Sequence, residues 1–159
     1  MSTRDRTGTR AGLGLFAGAT VCLGLGCEPA TCDEDIRAQV IDERVQLTVG
    51  GRTIEAELAD ELTERERGWM HRRCDREALL LVPDAQGELP IWGCELTSAV
   101  DLHLLRDGAV VDVINELAPC EGPCGGCPLV GEGVIVDAVL ETPAGTLEVE
   151  VGAMVEGLP

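Results

Sequence analysis

The sequence predicts a mostly β domain of the α+β class with one or two short helices. Runs of alternating polar and apolar residues flank two turn sequences, Gly50-Gly51 and Asp107-Gly108, as in β-hairpins. Only the segment after residue 62 carries a strong helix-start signal. The chain has no Tyr and a single Phe, Phe16, near its N-terminus. The core must therefore be aliphatic, and each fully buried side chain then contributes about 1.5–3 kcal/mol.

The first predicted elements are a hairpin and a helix. Residues 45–49 and 53–59 alternate on either side of the glycine pair, which predicts two antiparallel strands. Thr63 and Glu66 then fit a capping box, with Thr63 as N-cap and Glu66 at the third helical position. A helix over about residues 64–72 is expected to follow.

The second half of the chain predicts further strands. Residues 79–82 form a continuous apolar run, typical of a buried strand. Residues 100–105 and 109–115 form the clearest hairpin, and residues 133–141 predict another strand. Thr142-Pro143 resembles the start of a short helix, because Pro is favoured in the first helical turn.

The clearest hairpin brings titratable residues together. With Asp107 and Gly108 as the central turn residues, His103 lies opposite Asp112, and Asp101 shares their face of the sheet. This group is either an acid–base or metal pair, or a partly solvated ion pair. A third metal ligand is not evident, so no metal site is predicted.

The N-terminus resembles a bacterial lipoprotein signal. A charge-free run, residues 11–26, follows three basic residues and precedes Leu23-Gly24-Leu25-Gly26-Cys27, which is similar to a lipobox. The prediction is a signal peptide over 1–26, a lipidated Cys27, an acidic tether over 27–40 and one domain over 41–159. The alternatives are a cleaved, secreted form and an uncleaved anchor. All three place the folded part on the extracytoplasmic side of a bacterial membrane, in the cell envelope or beyond it.

The net charge of −17 limits the partners. Nucleic-acid binding depends on neutralising phosphates, so a strongly acidic chain argues against it. The charge also argues against binding to an anionic membrane surface. The Asp-x-Asp-x-Asp-Gly pattern of calcium loops is missing from the sequence, so solubility explains the acidity better than cation binding.

Export makes disulfides the default state of the six cysteines that follow Cys27. The spacing Cys120-x3-Cys124-x2-Cys127 matches that of radical S-adenosylmethionine enzymes, but those need a large α/β barrel with the motif near its start. Thiol redox catalysis and zinc binding are the remaining alternatives. No cofactor is predicted. Six cysteines allow 15 pairings, among which sequence alone does not choose.

A series of motifs runs through the chain in a distinctive order: Arg67-Gly68-Trp69-Met70, residues 78–82, Trp92, Asp101, Asp107-Gly108, Pro119-Cys120, Cys127-Pro128 and residues 140–145. They resemble motifs of the domain-of-unknown-function 192 family: residues 67–70 resemble its Arg-Gly-Leu-Met motif, and residues 78–82 its Gly-Met-Leu-Phe-Val strand. Trp92 resembles the Trp of its Trp-Met-Lys-Asn-Thr motif, Asp101 falls at its Leu-Asp pair, and Asp107-Gly108 at its hairpin turn. Pro119-Cys120 and Cys127-Pro128 resemble its Pro-Cys and Cys-Pro pairs, and residues 140–145 its Leu-Glu-x-Pro-Ala-Gly segment. The resemblance covers about residues 54–152.

This resemblance implies a compact, mostly β domain with a partly closed, barrel-like sheet, and it implies no biochemical activity. After Trp92 the chain has Gly-Cys-Glu-Leu where the family has Met-Lys-Asn-Thr, so only Trp92 and Asp101 carry over as family-matched positions.

The resemblance also implies a disulfide pattern. Cys120 with Cys127 is the family-like pair. Cys74 and Cys94 stand where the family has no cysteine, which suggests that they pair with each other. Cys32 and Cys124 remain for the third bridge.

Two function classes stay open, and the sequence favours the first over the second. The first is a non-enzymatic, lipid-anchored domain that binds or scaffolds an unidentified envelope protein, since nucleophile–base pairs, phosphate loops and metal motifs are missing from the sequence. The second is a small-ligand-binding or enzymatic pocket around Trp92, Asp101 and His103.

Overall fold

The computed structural model of the chain describes residues 32–159. These residues form one α-helix, a single 3₁₀ turn at Cys124–Gly126, and eleven strands. In chain order the elements are β1 Arg44–Val49, β2 Arg52–Ala59, α1 Leu62–Arg67, β3 Ala78–Leu81, β4 Gly87–Glu88, β5 Ile91–Trp92, β6 Val100–Arg106, β7 Ala109–Leu117, β8 Leu129–Val130, β9 Ile135–Val136, β10 Ala138–Pro143 and β11 Val155–Glu156.

Seven strands form one curled sheet in the order β11-β1-β2-β3-β10-β6-β7. All neighbours are antiparallel except β2 and β3, which are parallel and are joined through α1. The two ends of the sheet meet. Val110 N donates to Ala153 O at 2.9 Å, and Val155 N donates to Gly108 O at 2.8 Å. The prediction of a mostly β, partly closed, barrel-like sheet is confirmed.

Aliphatic side chains cover both faces of the sheet. One core cluster lies on the concave side and contains Leu47, Leu80, Leu105 and Leu140. A second cluster lies on the outer side, beneath the excursions that carry α1, β4, β5, β8 and β9; its members include Leu79, Leu102, Val139 and Trp69. Burial on both faces explains why β3 reads as a continuous apolar run.

The predicted hairpins are present, but the register of the second one is corrected. Its turn pairs Arg106 with Ala109, after which a bulge places Leu104 opposite Asp112 and His103 opposite Val113. Asp112 and His103 therefore point to opposite faces, and the expected pair does not form. The physical reason is the barrel closure, because Val110 directs its backbone groups to Gly152 and Ala153.

Both helix predictions need correction. α1 begins two residues early, with Glu61 as N-cap, and Glu61 N donates to the Glu64 carboxylate at 3.4 Å. It ends at Arg67, not at residue 72, because Gly68 turns to a φ of 45°. The helix expected after Thr142-Pro143 is absent from the described residues. Both residues extend β10, opposite Asp101 and Val100 of β6, respectively.

Three disulfides link all six cysteines of the described residues. Cys120 joins Cys127, as the family resemblance implies. The expected pairs Cys74–Cys94 and Cys32–Cys124 are wrong, since Cys32 joins Cys74 and Cys94 joins Cys124.

Local contacts explain these pairs. Glu34 accepts a hydrogen bond from Arg73 N at 2.6 Å, which places the neighbouring Cys32 against Cys74. Cys94 forms a parallel bridge with Cys120 and thereby lies beside the loop that carries Cys124.

The predicted signal peptide over 1–26 and the lipidation of Cys27 lie outside the described residues. From residue 32 onward, none of the helices has the length and the hydropathy that crossing a bilayer requires. The described part of the predicted tether, residues 32–40, is held to the domain by the Cys32–Cys74 disulfide and by Gln39.

Candidate functional site

The candidate site is a cavity of about 320 Å³ between α1 and the outer face of the sheet. Its walls are mostly apolar side chains from α1, the segment after it, β5, β8 and the start of β6. The apolar members are Leu62, Trp69, Met70, Leu89, Pro90, Ile91, Trp92, Cys94, Leu96, Val100 and Leu129. Pockets for small molecules have volumes of roughly 300–1,000 Å³ and similar apolar walls, so this cavity has the size of a small-ligand site.

The end of α1 positions the roof of the cavity. Gly68 adopts a φ of 45°, which favours glycine, and thereby directs Trp69 back toward the sheet, where it is buried. Gln39 holds this turn in place by donating to Glu64 O at 3.0 Å and to Gly68 O at 2.8 Å. The segment before β1 thus fixes the position of the cavity roof.

A buried acid, Glu141, lies in the cavity wall. It follows Leu140 in β10 and is only 3% exposed. A Cβ at Gly68 would lie 3.4 Å from Glu141 Oε2, so the carboxyl sits directly beneath the α1 turn. Oε2 has no hydrogen-bond partner among residues 32–159. Burial raises the pKa of Glu141 to about 7, although the positive charge of Arg72 acts in the opposite direction.

A network of ion pairs lies behind the Trp69 wall. Arg72 is fully buried, with Nη1 2.5 Å from Glu57 Oε2 and its guanidinium 5.5 Å from the centre of the Trp69 ring. Glu57 also contacts Arg76 at 2.6 Å and Arg44 at 3.0 Å. One carboxylate thus pairs with three arginines, so Glu57 has a structural role.

The opposite wall depends on a close approach of two segments. A side chain at Gly93 would collide with Ala118 O, and Cys120 N donates to Gly93 O at 2.7 Å. Cys94, 1% exposed, lines the cavity and is fixed by its disulfide to Cys124. The residues that replace the family's polar Met-Lys-Asn-Thr motif therefore form a cross-linked wall.

The three residues expected to share a pocket lie in different surroundings. Trp92 lines the cavity and is 37% exposed. Asp101 lines a separate, wider cleft, and its carboxylate accepts the N–H groups of Glu116 and Gly145, each at 2.7 Å. These bonds hold a second bulge of the β6–β7 hairpin and the turn after β10.

His103 is buried on the concave side of the sheet and lines neither the cavity nor the cleft. Its Nε2 lies 3.4 Å from Thr142 Oγ1. Burial lowers the pKa of His103, against the effect of the nearby Asp101 charge. The neutral imidazole is therefore favoured.

Sequence reasoning missed Glu141, Arg72 and Glu57. The local signal is weak, because Glu57 alternates with apolar residues in its strand and Glu141 directly follows the apolar run 138–140. A charged residue within such a run is buried only when it has a partner or a function.

The cavity has room for a small apolar body beside the Glu141 side chain. A cluster of three or more His, Cys, Asp or Glu side chains with metal-ligand geometry is missing from the described part of the chain.

Three comparisons place the chain among known proteins. The DUF192 family profile, described as Uncharacterized ACR, matches residues 45–157. Among curated proteins, none matches the chain.

Two crystal structures share the fold. One is a "putative transcription regulator" from Sinorhizobium meliloti 1021, with a TM-score of 0.63 and 24% identity over 76% of this chain and 98% of that one. The other is a protein of unknown function from Novosphingobium aromaticivorans DSM 12444, with a TM-score of 0.62 and 22% identity over 71% of this chain and 84% of that one. Because the family profile covers most of the chain, and in agreement with its motifs, the protein belongs to the DUF192 family.

Proposed function

We propose that the protein is exported, is anchored to the membrane by lipid on Cys27, and binds a small ligand in the cavity beneath α1. The observation that carries the ligand-binding part is the apolar cavity, whose lining includes Glu141, a buried acid with one oxygen that has no hydrogen-bond partner among the described residues. Both tryptophans of the chain, Trp69 and Trp92, line this cavity. Of the two function classes left open by the sequence, this arrangement favours the pocket, centred on Trp92 and Glu141.

Export is supported by the lipobox-like end of the N-terminal apolar run and by the disulfides. Disulfides form and persist in oxidising compartments, so three cross-links are compatible with an extracytoplasmic domain.

Metabolic labelling tests the anchor. The full-length chain is expressed in a bacterium that is fed an alkyne fatty acid. We expect label on the wild type and on Cys22→Ala, and no label on Cys27→Ala. Cys22 is the matched control because it lies in the segment predicted to be removed. Equal labelling of Cys27→Ala would contradict the anchor.

Tryptophan emission tests ligand binding in the cavity, because both tryptophans of the chain line its walls and the chain has no tyrosine. We expect the neutral probe 2-phenylethanol to change the emission of the wild type in a saturable way. Ile91→Phe narrows the cavity and should therefore lower the affinity for the probe about tenfold. Val151→Phe, on the separate cleft, is the matched control and should bind like the wild type. A response unaffected by Ile91→Phe would contradict binding in the cavity.

A further inference from the structure

The wall of the cavity contains a buried acid, Glu141, with one oxygen that lacks a hydrogen-bond partner. Glu141 is 3% exposed, and its Oε2 has no hydrogen-bond partner within residues 32–159. A buried carboxyl without a partner carries an unfavourable desolvation term, which a hydrogen-bond donor or a cation offsets. Among residues 32–159 no group donates a hydrogen bond to this oxygen, and the charge of Arg72 offsets the effect of burial only in part.

The arginines near the cavity do not take this role. Arg65 is bound to Asp84, Asp60 O and Val82 O. Arg72 pairs with Glu57 through Nη1, and its charge acts on Glu141 without a hydrogen bond to the unpartnered oxygen. Arg67 also lines the cavity, but it is exposed, so solvent screens its charge.

The remaining features favour a positive ligand. The faces of tryptophan rings attract cations within about 6 Å. Trp92 lines the cavity and is 37% exposed, whereas one face of Trp69 is already covered by Arg72. The net charge of −17 also raises the local concentration of cations around the protein. A carboxylic acid in the same cavity would meet the charge of Glu141.

We propose that the cavity binds organic amines: a protonated primary or secondary amino group pairs with Glu141, and an apolar body of about one ring packs between Trp69 and Trp92. This inference rests on the proposed function, because it names the ligand class of the same cavity. No covalent step is involved.

Calorimetric titration of the disulfide-bonded domain with three probes of the same shape tests this class. The probes are 2-phenylethylamine, 2-phenylethanol and phenylacetate, which differ mainly in the charge of one end. At about pH 8, where Glu141 is mostly ionised, we expect the amine to bind at least about tenfold more tightly than the alcohol. Phenylacetate should bind most weakly.

Substitution of the acid assigns the effect to one residue. Glu141→Gln keeps the shape of the side chain and removes its charge, so it should reduce amine affinity about tenfold and leave the alcohol within about threefold. Glu150→Gln removes an exposed charge on the separate cleft and should bind all three probes like the wild type. Thermal unfolding checks that each variant is folded.

The outcomes separate this inference from the proposed function. Alcohol binding as tight as amine binding, or amine binding that survives Glu141→Gln, would overturn the amine class while the cavity remained a ligand site. Lack of binding of every probe at about 10 mM would overturn both.

Discussion

Glu141 is the residue whose burial has the clearest measurable consequence. Its carboxyl has a reference pKa of 4.5 and a folded-state pKa of about 7, because burial disfavours the charged form. The folded state therefore holds this proton more tightly than the unfolded chain. The resulting stability is fully present below pH 4.5 and is lost as the pH rises through 7.

Glu141→Gln should abolish this loss. As the pH rises from about 4 to about 8, the wild type should lose up to about 3 kcal/mol of its free energy of unfolding through this group, and the variant should not. Urea denaturation at several pH values measures the difference. Comparison with the wild type cancels titrations that both proteins share, such as that of His103. A difference that is constant with pH would show that Glu141 keeps its ordinary pKa.

Asp101 makes a different prediction, because both its oxygens accept backbone hydrogen bonds. An amide retains one acceptor only, so Asp101→Asn should lower the free energy of unfolding by about 2 kcal/mol. It should leave cavity binding of 2-phenylethanol unchanged, since Asp101 lines the other cleft. Asp107→Asn is the control, because Asn-Gly forms the same turn. Loss of probe binding in folded Asp101→Asn would contradict the separation of the two sites.

At the residue scale, sequence reasoning found Trp92 but not Glu141. A tryptophan at a family motif attracts attention by itself. A glutamate that follows an apolar run in a β-strand is an ordinary surface residue unless both faces of the sheet are covered. The cover over β10 comes from α1 and the segment around Trp69, and this tertiary contact leaves no local pattern in the sequence.

At the element scale, both hairpin turns were predictable, but the register of the second hairpin was not. Gly50-Gly51 and Asp107-Gly108 determine where the chain turns, because they tolerate positive φ. The bulge at residue 111 lies beside Val110, which donates a hydrogen bond to Ala153 O and accepts one from Gly152 N, far along the chain. The His103–Asp112 pair failed for this reason.

The excursion between β7 and β9 is held by two disulfides of unequal loop length. Cys94–Cys124 closes 30 residues of sequence separation and Cys120–Cys127 closes seven. The longer loop loses more chain entropy in the unfolded state. Cys94→Ser/Cys124→Ser should therefore lower the free energy of unfolding by about 3 kcal/mol, and Cys120→Ser/Cys127→Ser by about 2. Denaturant unfolding compares the two, and the opposite order would contradict this assignment.

Peptide mapping without reduction tests the connectivity itself. We expect peptides that join Cys32 to Cys74, Cys94 to Cys124 and Cys120 to Cys127. A peptide joining Cys74 to Cys94 would contradict this connectivity, in which Cys74 pairs with Cys32 and Cys94 with Cys124.

At the scale of the whole molecule, fold class and family could be predicted because they depend on many weak signals in a fixed order. The barrel-like closure came from the family resemblance, since no local pattern specifies that the two sheet ends meet. The cavity could not be predicted, because its walls come from segments as far apart as Leu62 and Glu141.

The acidic excess gives a prediction about the whole domain. At a net charge of −17, the excess negative side chains repel one another in the compact state. Raising the ionic strength from about 0.01 M to 0.15 M shortens the Debye length from about 30 Å to 8 Å and should raise the Tm. Calorimetry in sodium chloride measures this, with sucrose of equal osmolality as the control. A fall in Tm with salt would indicate that the ion pairs around Glu57 outweigh the repulsion.

An NMR titration tests the cavity as a ligand site most directly. The chain has only two indole N–H groups, those of Trp69 and Trp92, and both residues line the cavity. On addition of 2-phenylethylamine, we expect both indole signals to shift saturably with one dissociation constant, while the amide signals of Glu116 and Gly145 at the other cleft stay in place. Shifts confined to Glu116 and Gly145, with unmoved indole signals, would contradict a ligand site beneath α1.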